Sequence, residues 1–112
     1  MPETIMDEQE FKLRADESLT SLYNALGAAS DYHDFETDFG GSVTVEFEAP
    51  PAKFVVSPNT PVRQIWVSAH SKSYKLDWDK EKSAFVLPSS GQTLKELVAA
   101  AVSQQLNQHI DL

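Results

Sequence analysis

Cysteine is absent from this sequence. That absence excludes disulfide staples, thiol nucleophiles, Cys-based zinc sites and Cys-ligated clusters together. Positive charge is scarce as well: nine Lys and Arg stand against 17 Asp and Glu, for a formal net charge of −8. Phosphate backbones and anionic membrane surfaces are held by Lys and Arg, so both make poor partners. Cations and basic protein patches are the natural ones, although the same acids would also serve solubility alone. Long apolar runs are missing too, and none approaches the ~18 residues of a membrane span. The opening MPETIMDEQE lacks the apolar centre of a signal peptide and the Arg-rich pattern of a transit peptide. A cytoplasmic protein is the expectation, and a processed organellar protein would carry the same features.

What is present suffices for a fold. The hydrophobic share of 41% and aromatic share of 10% argue against wholesale disorder. The 112 residues make one domain spanning 1–112, as domains of about 100–150 residues are typical. A chain of this length buries roughly 65% of its unfolded surface, enough for one core.

Asp7 to about Ser30 reads as a helix. Asp7 stands as its cap and Glu10 in capping-box position. Phe11, Ala15, Leu19, Leu22, Leu26 and Ala29 recur at helical spacing as one apolar stripe, while Leu13 points outward without an evident reason. From Phe35 to Leu87 the period becomes two. Strands are predicted around Phe35–Phe39, Ser42–Glu48, Phe54–Val56, Val62–Ala69, Ser73–Trp78 and Ala84–Leu87, with turns at Gly40-Gly41, Pro50-Pro51 and Ser57–Pro61. Thr93-Leu94-Lys95-Glu96 is a second capping box, opening a helix to about His109 with Leu94, Leu97, Val98, Ala101 and Leu106 inward. Short connections imply an antiparallel meander. The predicted fold is therefore α+β: a two-layer α/β sandwich, both helices on one face of a five- to six-stranded antiparallel sheet and the other face wet.

Enzyme motifs are missing: no G-x-S-x-G elbow, no Gly-rich phosphate loop and no H-E-x-x-H. His33, His70 and His109 are scattered and read as surface or loop histidines. Paired carboxylates do acid–base work only where a pocket sets their pKa values apart, which an exposed helix face does not provide. The acids nevertheless cluster: Asp7, Glu8, Glu10, Asp16 and Glu17 along the first helix, then Asp31, Asp34, Glu36 and Asp38 at its end and on the first strand. Such oxygen donors suit Ca²⁺, Mg²⁺, Mn²⁺, Fe²⁺ and Fe³⁺. A merely solvated face accounts for them equally well.

In Val62-Arg63-Gln64-Ile65-Trp66-Val67-Ser68, the residues Ile65, Val67 and Ala69 share the core parity. Gln64, Trp66 and Ser68 then face outward, and an outward Trp between polar neighbours is a candidate interface anchor. A bulge would instead turn Trp66 into the core.

These features, in this order, resemble the frataxin family with its bacterial CyaY branch. Thr60-Pro61-Val62-Arg63-Gln64-Ile65-Trp66-Val67-Ser68 is similar to the family's T-P-x-x-Q-I-W-L-S strand. Phe11-x-x-x-Ala15-Asp16-Glu17-x-Leu19-x-x-Leu22, Leu76-Asp77-Trp78 and Leu94-x-Glu96-Leu97 match in register over about Asp7 to Leu106. The resemblance implies weak binding of Fe²⁺ and Fe³⁺ on an acidic ridge, with Glu8, Asp16, Glu17, Asp34 and Glu36 as the candidate metal residues. It implies docking on the cysteine desulfurase and the iron–sulfur scaffold protein through Asn59, Gln64, Trp66 and Lys75, by a protein that is monomeric without metal. The chain departs from the family where Tyr23-Asn24-Ala25-Leu26-Gly27-Ala28 replaces an acidic half-helix, which thins the ridge. The expected role is an iron chaperone and regulator of cluster assembly. A metal-independent interaction module and a ferroxidase are its rivals.

Overall fold

The computed structural model describes residues 6–112. Helix α1 runs Glu8–Ser30 and helix α2 Leu94–Leu106, with six strands between them: β1 Glu36–Phe39, β2 Val43–Glu48, β3 Pro51–Asn59, β4 Gln64–Ala69, β5 Lys72–Asp79 and β6 Ala84–Val86. The strands pair antiparallel in chain order, β1 to β6. Both helices lie on one side of this sheet, the predicted two-layer arrangement.

Local chemistry sets the ends. Asp7 accepts the Glu10 amide at 2.8 Å and so opens α1. At α2 the Thr93 hydroxyl accepts the Glu96 amide while the Glu96 carboxylate accepts the Thr93 amide. The stripe Phe11, Ala15, Leu19, Leu22 and Leu26 is buried, whereas Leu13 is 54% exposed, as its place on the helix wheel requires. Across the sheet Val43, Val45, Phe47, Phe54, Val56, Ile65, Val67 and Leu76 complete one core. Phe11 of α1 meets Phe85 of β6 edge-on, ring centres 5.8 Å apart.

Three boundaries differ from the sequence reading. β3 is nine residues long, not the short Phe54–Val56, and it includes Ser57-Pro58-Asn59. Its pairing with β2 ends at Val56, so beyond that residue β3 has only β4 beside it. Pro58 therefore sits at a local edge, where a missing N–H removes no ladder bond. β4 begins at Gln64 rather than Val62, because Thr60–Val62 forms one 3₁₀ turn that ends with Arg63 in the left-handed region (φ 55°). α2 stops at Leu106, short of His109: Asn107 takes the left-handed cap (φ 55°) and donates its amide to the Ser103 carbonyl. Val102, not singled out by the sequence reading, is fully buried on α2, while Ala101 and Leu106 are half-buried.

Candidate functional site

Period-two burial along β4 settles the position of the indole. Ile65, Val67 and Ala69 are buried, and Trp66 faces the uncovered side of the sheet with 36% of its surface exposed. Register then decides its neighbours. Trp66 lies opposite Ser57 of β3 and Lys75 of β5, and Gln64 lies opposite Asn59 and Asp77. The indole Nε1–H donates to Gln64 Oε1 at 2.9 Å, and Gln64 Nε2 donates to Asp77 Oδ1 at 3.0 Å. The Lys75 ammonium stands over the Trp66 ring, 4.9 Å from its centre, a cation–π contact. All four residues expected at the partner surface, Asn59, Gln64, Trp66 and Lys75, thus occupy neighbouring rungs of β3, β4 and β5. A flat apolar ring with a polar handle, held among hydrogen-bonding groups, is the chemistry of an interface anchor. The second tryptophan, Trp78, has the opposite parity. It packs against Phe85 at 5.2 Å and lies under the Arg14 guanidinium on the helix side.

The acids divide into two groups. Glu8, Asp16 and Glu17 are exposed on α1, and Glu8 and Glu17 are separated by about 13 Å of helical rise. Two of these three already have cations. Lys12 holds Glu8 at 2.9 Å, and Arg14 reaches Glu17 at 3.5 Å and Glu10 at 3.8 Å. The hydrogen bond and charge of Lys12 hold the Glu8 carboxyl below the usual carboxylate range, against a smaller opposing effect of desolvation. Asp34 and Glu36 lie past the other end of α1, where they line a concavity with His33, Glu46 and Glu48. β1–β2 register puts Glu36 directly opposite Glu46, two like charges side by side at the sheet edge. The structure thus joins Asp34 with Glu36 and leaves Glu8 apart from both. Among the described residues no three His, Asp or Glu side chains converge into a group that would hold a metal ion. Carboxylate oxygens have the right hardness for iron, but they form an open, water-accessible array here.

Glu46 and Glu48 fall within the strand expected around Ser42–Glu48, and the sequence reading does not count them among the clustered acids. The Gly40-Gly41 turn followed by a β2 of fixed parity was the signal that would have placed Glu46 beside Glu36. Asp77 was visible only as the centre of Leu76-Asp77-Trp78, and its tie to Gln64 needs the β4–β5 register. The histidines lie in loops and at the chain end, as expected. His33 Nδ1 meets Gln108 Oε1 at 3.0 Å, His70 Nε2 meets Gln105 Oε1 at 3.2 Å, and His109 lies 3.0 Å from Asp111.

Known proteins share both sequence and architecture with this chain. A profile described as a frataxin-like domain matches residues 4–108. The iron–sulfur cluster assembly protein CyaY of Pseudomonas fluorescens is 27% identical over 106 residues, covering 95% of this chain and 94% of that protein. Its counterpart in Cupriavidus pinatubonensis is 30% identical over 103 residues, covering 89% and 90%. The CyaY of Pseudomonas syringae pv. tomato is 31% identical over 71 residues; that match takes in 63% of this chain and 64% of the relative's length. A solved structure of the frataxin from Psychromonas ingrahamii superposes with a TM-score of 0.81 over 95% of this chain and 97% of that one. Its sequence is 20% identical, so it shows a common fold. With the profile spanning nearly the whole chain, this protein belongs to the family of frataxin-like domains.

Proposed function

We propose that the chain, acting as one domain over residues 1–112, is an iron-binding regulator of iron–sulfur cluster assembly. In this reading it docks on the cysteine desulfurase–scaffold complex in the cytoplasm and is a monomer without metal. The observation that carries the proposal is Trp66, a large indole on the uncovered sheet face, held by Gln64 and covered by Lys75. The names of the CyaY relatives supply the pathway. Iron is the cargo, carried loosely by exposed carboxylates among Glu8, Asp16, Glu17, Asp34 and Glu36. The same negative edge attracts basic partner surfaces, so cargo and partner compete for it.

A second reading, docking without iron, is favoured by the lack of a converging metal group among the described residues and by the pairing of Glu8 and Glu17 with Lys12 and Arg14. Anaerobic Fe²⁺ titration followed by amide NMR separates the two. Broadening confined to α1, β1 and the facing part of β2 is expected, and no perturbation at millimolar metal removes iron from the role. Failure to retain a cysteine desulfurase from a cell extract removes the docking. Oxygen uptake no faster than that of free Fe²⁺ excludes a ferroxidase.

A further inference from the structure

The hydrogen bonds on the open face run in one direction, and Asp77 sets it. An ionised carboxylate only accepts, an indole N–H only donates, and the Gln64 amide between them offers a donor at one end and an acceptor at the other. With Asp77 Oδ1 at 3.0 Å from Gln64 Nε2, the amide oxygen is left to accept the Trp66 N–H at 2.9 Å. Were the amide reversed, the acid would face an oxygen and the indole an NH₂ group, and both contacts would be lost. Gln64 and Asp77 form one rung of the β4–β5 ladder, and Trp66 and Lys75 the next rung on the same face. The ring is thereby held at its nitrogen through Gln64 and at its face by Lys75.

We propose that Asp77 is a positioning residue for Trp66: by orienting the Gln64 amide it holds the indole in the pose presented to the partner. The proposal rests on the reading of Trp66 as the docking anchor. Asp77 is exposed, and among the described residues it makes no ion pair, so neither the core nor a salt bridge accounts for it. In water such bonds add little to stability. Their effect is on which indole rotamer is populated, and a pre-arranged ring loses less freedom on binding.

The test uses the whole chain, with the Trp66 indole N–H followed by NMR and affinity measured against the desulfurase–scaffold complex. Asp77→Ala is expected to speed exchange of that N–H with water by roughly three- to tenfold and to weaken binding by a similar factor, the size of one lost hydrogen bond. The thermal midpoint and the Trp78 indole signal stay in place. Combining Gln64→Glu with Asp77→Asn exchanges the acid and the amide, keeps an acceptor against the indole and restores slow exchange. A purely structural role for Asp77 would not respond to that exchange of groups. Unchanged indole exchange in Asp77→Ala overturns the proposal whatever the affinity does. If exchange responds as expected but Trp66→Ala leaves binding untouched, the positioning stands and the docking reading falls.

Discussion

Trp66 carries the largest single expectation at the scale of one residue. Truncating an interface anchor costs ~2 kcal/mol or more, so Trp66→Ala is expected to weaken binding to the desulfurase–scaffold complex by at least that much in titration calorimetry. Circular dichroism should show an unchanged fold, because the ring lies outside the core. Loss of cooperative unfolding in the variant would instead make Trp66 structural. Glu8 gives a pH dependence with a definite sign. Lys12 lowers its carboxyl pKa in the folded chain, so the unfolded chain takes up that proton first as pH falls. The stabilising effect is complete above the ordinary carboxylate value of about 4.3 and is lost as pH drops through the lowered folded value. Lys12→Ala should move the Glu8 titration, followed by carboxyl NMR, up toward the ordinary value. An unmoved titration would mean that Lys12 is not the cause.

The edge hairpin β1–β2 is where a prediction belongs to an element. Glu36 and Glu46 face each other across the ladder, and the neighbouring Asp34 and Glu48 add charge of the same sign. Like charges directly opposite destabilise a strand pair. Glu36→Lys turns that repulsion into attraction and is expected to stabilise the fold by about 0.2–1 kcal/mol, read as a higher urea midpoint. An unchanged midpoint would show that water screens the repulsion fully, and a lower one that Glu36 is stabilising where it stands. The same unfavourable pairing also keeps a strand edge from joining another sheet edge. Elements such as α1 and β2 were legible because one physical signal ruled each: a 3.6-residue stripe in the first, strict alternation in the second. β3 was misread because Pro51, Pro58 and Asn59 are locally turn-forming, and only its one-sided pairing makes them tolerable in a strand. Val102 was passed over because the Ala-rich face of α2 leaves the orientation of its stripe undecided until the sheet fixes it.

At the scale of the whole molecule, the layer arrangement followed from counting faces: every strand has one apolar side and each helix one apolar stripe. What a single chain of letters does not contain is register. Whether Asp77 meets Gln64, or Glu46 meets Glu36, depends on how far each hairpin slides before it locks, and turn lengths state that only in part. The candidate partner surface was therefore foreseeable as residues but not as a connected network, and the acidic concavity of Asp34, Glu36, Glu46 and Glu48 was only half foreseen.

The uninterrupted order β1 to β6 also bears on how the protein comes into being. Each strand pairs with the segment made just before it, so every pairing has only a short loop to close. α2 is synthesised after all six strands. Until it arrives to anchor its Thr93 end beside Val86 and its Gln105 end at the Pro50 carbonyl, part of the oily side of a nascent ribbon lies open to water. The interval between synthesis of β6 and of α2 is thus one of exposure to misassociation, and it ends when thirteen residues of helix settle over that side.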